Sequence, residues 1–238
     1  MTRLTSLRER LRSLLFMSPR DIGLFIRSAR TDSAIRHNRA RGGDTAAFDA
    51  AYAGGDPWAS GDDRYRYQQR KYDVIAALLP QGRQFGRALD LGTGHGLLAR
   101  RIAKRADTML GLDISQNAVD RARQQHAGVA NLTFDQGDIR KLPTAMDNQF
   151  DLVVIADTLY YLPRPISDAD LKSVAQRVAA LLAPGGICLL ANHYFFRADP
   201  DSRLSRRIHD AFAWSPQLQL EAEHRRPFYI VSLLTKAA

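Results

Sequence analysis

Apolar residues along this chain gather into short continuous runs separated by stretches of helical period. That is the pattern of strands buried on both faces alternating with helices. The runs fall at residues 87–91, 108–115, 132–139, 150–157 (FDLVVIAD) and 187–190. Between them, residues 97–104, 117–125 and 169–182 read as helices. After the fifth run a helix is predicted over 202–212, and residues 218–224 with 228–235 read as a hairpin-like pair. Spacing alone gives an open α/β sheet.

The chemistry enters at the end of the first run. Asp90-Leu91-Gly92-Thr93-Gly94-His95-Gly96 delivers an acid and then glycines spaced G-x-G-x-G, directly before a helix. Glycine suits a turn with φ > 0 where a ligand approaches the backbone, and the helix start offers free N–H groups. The dinucleotide fingerprint G-x-G-x-x-G differs, because Leu97 stands where it requires glycine. Asp90 would also repel a diphosphate but welcome an ammonium. The ligand favoured by charge is a nucleoside with a cationic amino-acid tail, S-adenosylmethionine. Two further acids follow in register. Asp113 ends the second run, 23 residues after Asp90, where a carboxylate can accept ribose hydroxyls. Asp138 ends the third, where it can accept an adenine amino group, with Ile114 or Ile139 flanking the ring. Each acid could instead cap the helix that follows it.

These residues resemble the class I S-adenosylmethionine-dependent methyltransferases, from about Phe48 to the C-terminus, including the Pro184-Gly185-Gly186 turn. The resemblance implies a Rossmann-like, seven-stranded, mostly parallel doubly wound sheet. It implies that Gly92, Gly94 and Gly96 approach the methionine portion, that Asp90 organises its amino group, and that Asp113 and Asp138 hold ribose and adenine. The order F-x₃-Y-x₄-PW, then Y-x-x-R-K-Y, the glycine turn and Asp157-Thr158-Leu159-Tyr160-Tyr161-Leu162 is similar to the nodulation protein S group, which N-methylates an amino sugar. Gln68, where that group usually has an acid, and a long basic arm are departures that leave the acceptor open.

Charge changes the picture only at the N-terminus. The net charge is +9, and residues 1–41 carry +7 of it, ten arginines against three acids. The rest is nearly balanced, which argues against a broad nucleic-acid face. Leu4, Leu7, Leu11, Leu14 and Leu15 recur at helical spacing among arginines. That suits a basic amphipathic arm (1–43) in peripheral contact with an anionic membrane, or an arm packed on its own domain. A helical lid segment (44–80) and the methyltransferase domain (81–238) follow. The single cysteine, Cys188, sits in an apolar run, so a buried strand residue and a cytoplasmic, reducing location are expected. No apolar stretch reaches membrane-spanning length, and the N-terminus makes a poor signal peptide.

Within the lid, residues 45–53 are expected to form a short helix and residues 64–79 a longer one. Trp58 and the tyrosines there offer faces to a sulfonium cation. Trp58 and Arg70 are assigned to the cofactor side. The acceptor side must come from the ends of the fourth and fifth strands. Asp157, Tyr160 and Tyr161 lie on one, and Asn192, His193 and Tyr194 on the other. Of these, Asp157, Tyr160 and His193 are taken as catalytic, His193 because imidazole titrates near neutrality. No D/N-P-P-Y/F motif follows the fourth strand, which disfavours a nucleic-acid amino-methyltransferase, and no metal cluster is evident. The expected activity is methyl transfer from S-adenosylmethionine to an amino group of a small molecule, an amino sugar or glycoconjugate. O-methylation, or a non-catalytic S-adenosylmethionine-binding module, are the alternatives.

Overall fold

The computed structural model describes residues 20–62 and 64–237. A kinked helix α1 (Asp21–Ala53) and α2 (Arg66–Ala77) precede the sheet. Then follow β1 (Phe85–Leu91), α3 (Leu97–Ala103), β2 (Ala106–Asp113), α4 (Gln116–Gln125), β3 (Leu132–Gln136) and β4 (Phe150–Ala156). The chain ends with α5 (Asp168–Leu181), β5 (Leu182–His193), α6 (Pro200–Ala213), β6 (Leu218–Arg226) and β7 (Tyr229–Lys236). The sheet has seven strands in the order β3-β2-β1-β4-β5-β7-β6. The first five strands run parallel, and β7 pairs antiparallel with both β5 and β6.

The run 150–157 is fully apolar because β4 is covered on both faces. Leu152 and Val154 join Ile75, Ile102 and Val119 on one side, while Val153 and Ile155 join Val178, Ile208 and Phe212 on the other. Cys188 is a buried strand residue. Sequence dictates the helix starts too: Ser167 and Asp170 form a reciprocal capping box on α5, and Asp199 caps α6 ahead of Pro200. Because the strand order reverses between β1 and β4, their carboxyl ends open a crevice at that point.

The N-terminal segment departs from expectation. Residues 21–42 and 44–53 are both helical and meet at a kink at Gly43 (φ 77°, ψ −178°), a conformation reserved for glycine. Leu24 and Ile35 are buried, so residues 21–42 follow the alternative in which the arm packs on its own domain. Asp21, fully buried, accepts from the backbone N–H of Arg66 and Tyr67 and so caps α2 from a distance. The leucine pattern over residues 4–15, from which a membrane contact is expected, lies outside the described residues. No helix among the described residues is long and apolar enough to cross a membrane.

A buried polar chain ties α6 to the sheet. Asn192 Nδ2 lies 3.2 Å from His209 Nε2, and His209 Nδ1 lies 2.7 Å from Ser232 Oγ. Burial lowers the His209 pKa to about 3. The folded protein therefore keeps this ring neutral while the unfolded chain protonates it below about 6.5. Its stabilising contribution is complete above that pH and declines as pH falls toward about 3, by about 1.4 kcal/mol per pH unit. Urea titrations at pH 6 and 5 should show a stability slope that differs by about this amount between wild type and His209→Gln. Equal slopes would mean that the ring titrates normally.

Candidate active site

Under α1, along the carboxyl ends of β1, β2, β4 and β5, runs a cavity of about 360 Å³. Its first half is built on the glycine turn. Gly92 (φ 76°) and Gly94 (φ 54°) line it, and a Cβ on either would have no room: it would lie 2.2 Å from Thr158 Oγ1 or 2.8 Å from the Tyr52 hydroxyl. Asp113 sits beneath, its Oδ2 accepting from Gly94 N at 2.8 Å and its Oδ1 from Ser115 N at 3.0 Å. Burial pushes its pKa up to about 6, against the lowering pull of those backbone bonds. Ile114 and Ile139 add apolar walls.

Three of the expected cofactor residues are placed otherwise. Asp90 does not line the cavity. It is buried below the turn, accepts from Thr93 Oγ1 at 2.9 Å, and burial raises its pKa to about 7. It braces the turn from beneath. Gly96 also faces inward: it caps α3 in a left-handed conformation, and a Cβ there would lie 2.5 Å from the Phe134 ring. Only the first two glycines open on the cavity. Arg70 does not line it either; its neighbour Lys71 does. Tyr67, Lys71 and Ile75 form the buried face of α2, which turns position 70 about 100° away.

Asp138 does line the cavity, but Arg140 holds it. Oδ1 accepts from Arg140 N and Nε at 2.9 Å each, and Oδ2 accepts from a guanidinium N–H at 2.7 Å. Burial works to raise its pKa, yet Arg140 keeps the carboxyl below its ordinary value. Arg140 also pairs with Asp44 (2.8 Å), and Asp44 with Arg39 (2.5 Å), so one ionic chain links the roof across its kink to the loop after β3. Asp49 makes the second attachment, accepting from Ser115 Oγ at 2.7 Å.

The other half of the cavity is aromatic and acidic. Trp58 lies across it, its ring 5.7 Å from Tyr161 and its Nε1 donating to Asp32 Oδ1 at 3.3 Å. The Tyr160 ring packs edge-on against His193 at 4.2 Å. Burial lowers the His193 pKa, with Asp157 opposing and Lys71 reinforcing that shift. Burial also lifts the Tyr160 and Tyr161 phenols well above their usual range, so both remain hydrogen-bond donors. Asp157 occupies a left-handed backbone conformation (φ 54°) just past β4. Its Oδ2 pairs with the buried Lys71 ammonium, while its Oδ1 is buried without a partner.

The structure thus brings Asp157, Tyr160 and His193 together in one cavity with Trp58, Asp113 and Asp138. Asn192 and Tyr194 are excluded: Asn192 serves His209, and the Arg225 guanidinium lies 3.3 Å over the Tyr194 ring. Two side chains, Lys71 and Asp32, are new to the site. The i, i+4 series Tyr67-Lys71-Ile75 could have located the first. Asp32 left no signal, because its helix is rich in polar residues.

The cradle fits S-adenosylmethionine. Backbone at Gly92 and Gly94 is left bare, Asp113 keeps lone pairs free for ribose hydroxyls, and Ile114 and Ile139 can flank a purine. A cavity lined by Asp32, Asp113, Asp138 and Asp157 disfavours a diphosphate.

Comparison with known proteins agrees. The chain is 33% identical to YqeM, a putative methyltransferase of Bacillus subtilis, over 157 residues, covering 61% of this chain and 60% of that protein. It is 26% identical to nodulation protein S of Rhizobium tropici, covering 66% of this chain and 60% of that one. The chain spans about 60% of the length of these curated relatives. Among solved structures, the N-methyltransferase NodS from Bradyrhizobium japonicum with S-adenosyl-L-homocysteine superposes with a TM-score of 0.65. That match has 16% identity and covers 87% of this chain and 99% of the other, a likeness of fold. A family model described as a methyltransferase domain matches residues 85–226, from the first strand through the sixth. The glycine turn, Asp113, Asp138, Asp157 and six of the seven strands lie within that match, and the chain belongs to the methyltransferase-domain family, in its class I, S-adenosylmethionine-dependent form.

Proposed function

We propose that this protein transfers a methyl group from S-adenosylmethionine to the amino group of a small acceptor, an amino sugar or glycoconjugate. The observation that carries this reading is Asp157. One carboxylate oxygen is held by Lys71 and the other is buried and unpartnered, in the same cavity as His193. When bound, S-adenosylmethionine supplies a methyl group already activated by positive sulfur.

The chain's own residues have a limited task. Asp157 Oδ1 accepts an acceptor N–H and so turns the nitrogen lone pair toward the nucleoside half. His193, kept neutral by burial, takes the proton that the amine must lose. Tyr160 fixes the imidazole by edge contact, and Phe25, Phe195 and Phe228, mutually in ring contact, keep water out. Lys71 holds Asp157 in place. The positive φ at Asp157 is a strain that this ion pair helps to maintain.

Transfer of labelled methyl across a panel of amino sugars, glycolipids and phenols tests the proposal. Free amines should be labelled and their N-acetylated forms should not; labelling of phenols alone would overturn it. His193→Ala is expected to lower kcat about 100-fold on the amine while S-adenosylhomocysteine affinity stays unchanged. Wild-type turnover in that variant would remove His193 as the base.

A further inference from the structure

Asp32 lies on α1, far outside the stretch that matches the methyltransferase-domain family, yet it lines the acceptor half of the cavity. Tyr161 donates its hydroxyl to Asp32 Oδ1 at 2.6 Å, and Trp58 Nε1 donates to the same oxygen. Two donors on one oxygen fix the carboxylate's rotation and leave Oδ2 without a hydrogen bond among the described residues. The other carboxylates around the cavity named above are matched: Asp157 by Lys71, Asp138 and Asp44 by Arg140, and Asp113 by backbone N–H groups. Asp32 has no ion pair among the described residues. The titratable groups that influence it are His193 from β5 and Arg36 one turn along its own helix. Burial raises its pKa, and the hydrogen bonds from Tyr161 and Trp58 oppose that shift. Asp32 from the roof and Asp157 from the sheet line the same cavity as the Tyr160–Tyr161 pair, whose rings lie 4.5 Å apart and whose second member bonds Asp32.

Resting on the activity proposed above, we infer that Asp32 is a specificity-determining residue: its free oxygen is a second docking point for an acceptor that presents hydrogen-bond donors at two places. With Asp157 on one donor and Asp32 on the other, the site takes an amino alcohol, such as a sugar bearing a free amine beside hydroxyls. It repels acceptors that carry carboxylate or phosphate. On this inference the roof helix, which lies outside the family match, supplies the choice of acceptor.

Trp58 reports directly on this contact, because its indole N–H is bonded to Asp32. In a Trp214→Phe background, which leaves Trp58 as the sole tryptophan, the full chain saturated with S-adenosylhomocysteine is titrated with the disaccharide of glucosamine while emission is followed. A saturable change is expected. Asp32→Asn, which keeps an oxygen for Tyr161 and Trp58, should weaken that binding about 30-fold and leave S-adenosylhomocysteine affinity within about twofold. Asp32→Glu, which keeps the charge, should recover most of it. Equal disaccharide affinity in wild type and Asp32→Asn overturns the inference, as does a Glu variant as weak as the Asn one or an absent response in wild type. If the disaccharide binds in an Asp32-dependent manner but accepts no methyl, the inference stands and the proposed reaction falls.

Discussion

Asp113→Ala is expected to weaken S-adenosylhomocysteine binding about a thousandfold while the protein remains folded. The carboxylate does two jobs at once. It accepts from Gly94 N and Ser115 N, and so pins the glycine turn to the start of α4. The residue also lines the cavity, where its remaining lone pairs would receive ribose hydroxyls. Hydrogen bonds to a charged group contribute about 1.5–3 kcal/mol each, and removing two of them from the ligand weakens affinity about a thousandfold. Asp138→Ala should cost only about tenfold, because Arg140 already engages both oxygens. A pH signature accompanies the effect. Asp113 has its pKa raised to about 6, so the wild-type protein should bind progressively more weakly as pH falls through that value and the acceptor oxygen becomes protonated. Calorimetry at pH 8 and pH 5 measures both effects, and wild-type affinity in Asp113→Ala would remove the carboxylate from the cofactor site.

Much of this site is legible in the chain because buried parallel strands have no alternation to hide behind. A run such as FDLVVIAD reads as a strand covered on both sides, and the residue after such a run stands at the sheet's carboxyl edge. Asp113, Asp138 and Asp157 all follow from that rule, and the structure puts all three on one cavity. Asp90 stands one residue before the end of β1, and its side chain meets Thr93 below the turn instead of lining the cavity. Arg70 lies on α2, outside the reach of that rule, and it is the adjacent Lys71 that lines the cavity. The roof is least legible. Residues 21–42 carry few apolar positions, and those that pack, Leu24, Phe25 and Ile35, are interspersed with arginines such as Arg27, which donates to the carbonyls of Asp56 and Pro57. Composition marks the segment as a basic arm, whereas its burial depends on a kink at Gly43 and on partners more than a hundred residues away, such as the Tyr161 carbonyl that accepts from Arg39. Partners so distant in sequence leave no local pattern.

The glycine turn itself yields the largest effect on the fold. Gly92→Ala places a methyl group 2.2 Å from Thr158 Oγ1 and 2.4 Å from its Cγ2, at a backbone angle (φ 76°) that L-residues resist. The angle costs about 1–2 kcal/mol and overpacking about 1–3 kcal/mol, so a loss of about 4 kcal/mol is expected, a large share of the stability of an ordinary domain. Thr158 cannot simply rotate away, because its hydroxyl bridges Leu91 O at 3.1 Å and Ala156 O at 3.0 Å and thereby sets the spacing of β1 and β4 at the crevice. The two contributions can be separated. Thr158→Gly removes the three atoms nearest the new methyl, so in the double variant most of the steric part disappears and the backbone part remains. A double-mutant cycle measured by urea unfolding should give a favourable coupling of about 2 kcal/mol between positions 92 and 158. Additive losses would mean that the turn moves independently of β4, and the strand-end crevice would then not be the rigid cradle on which cofactor binding depends.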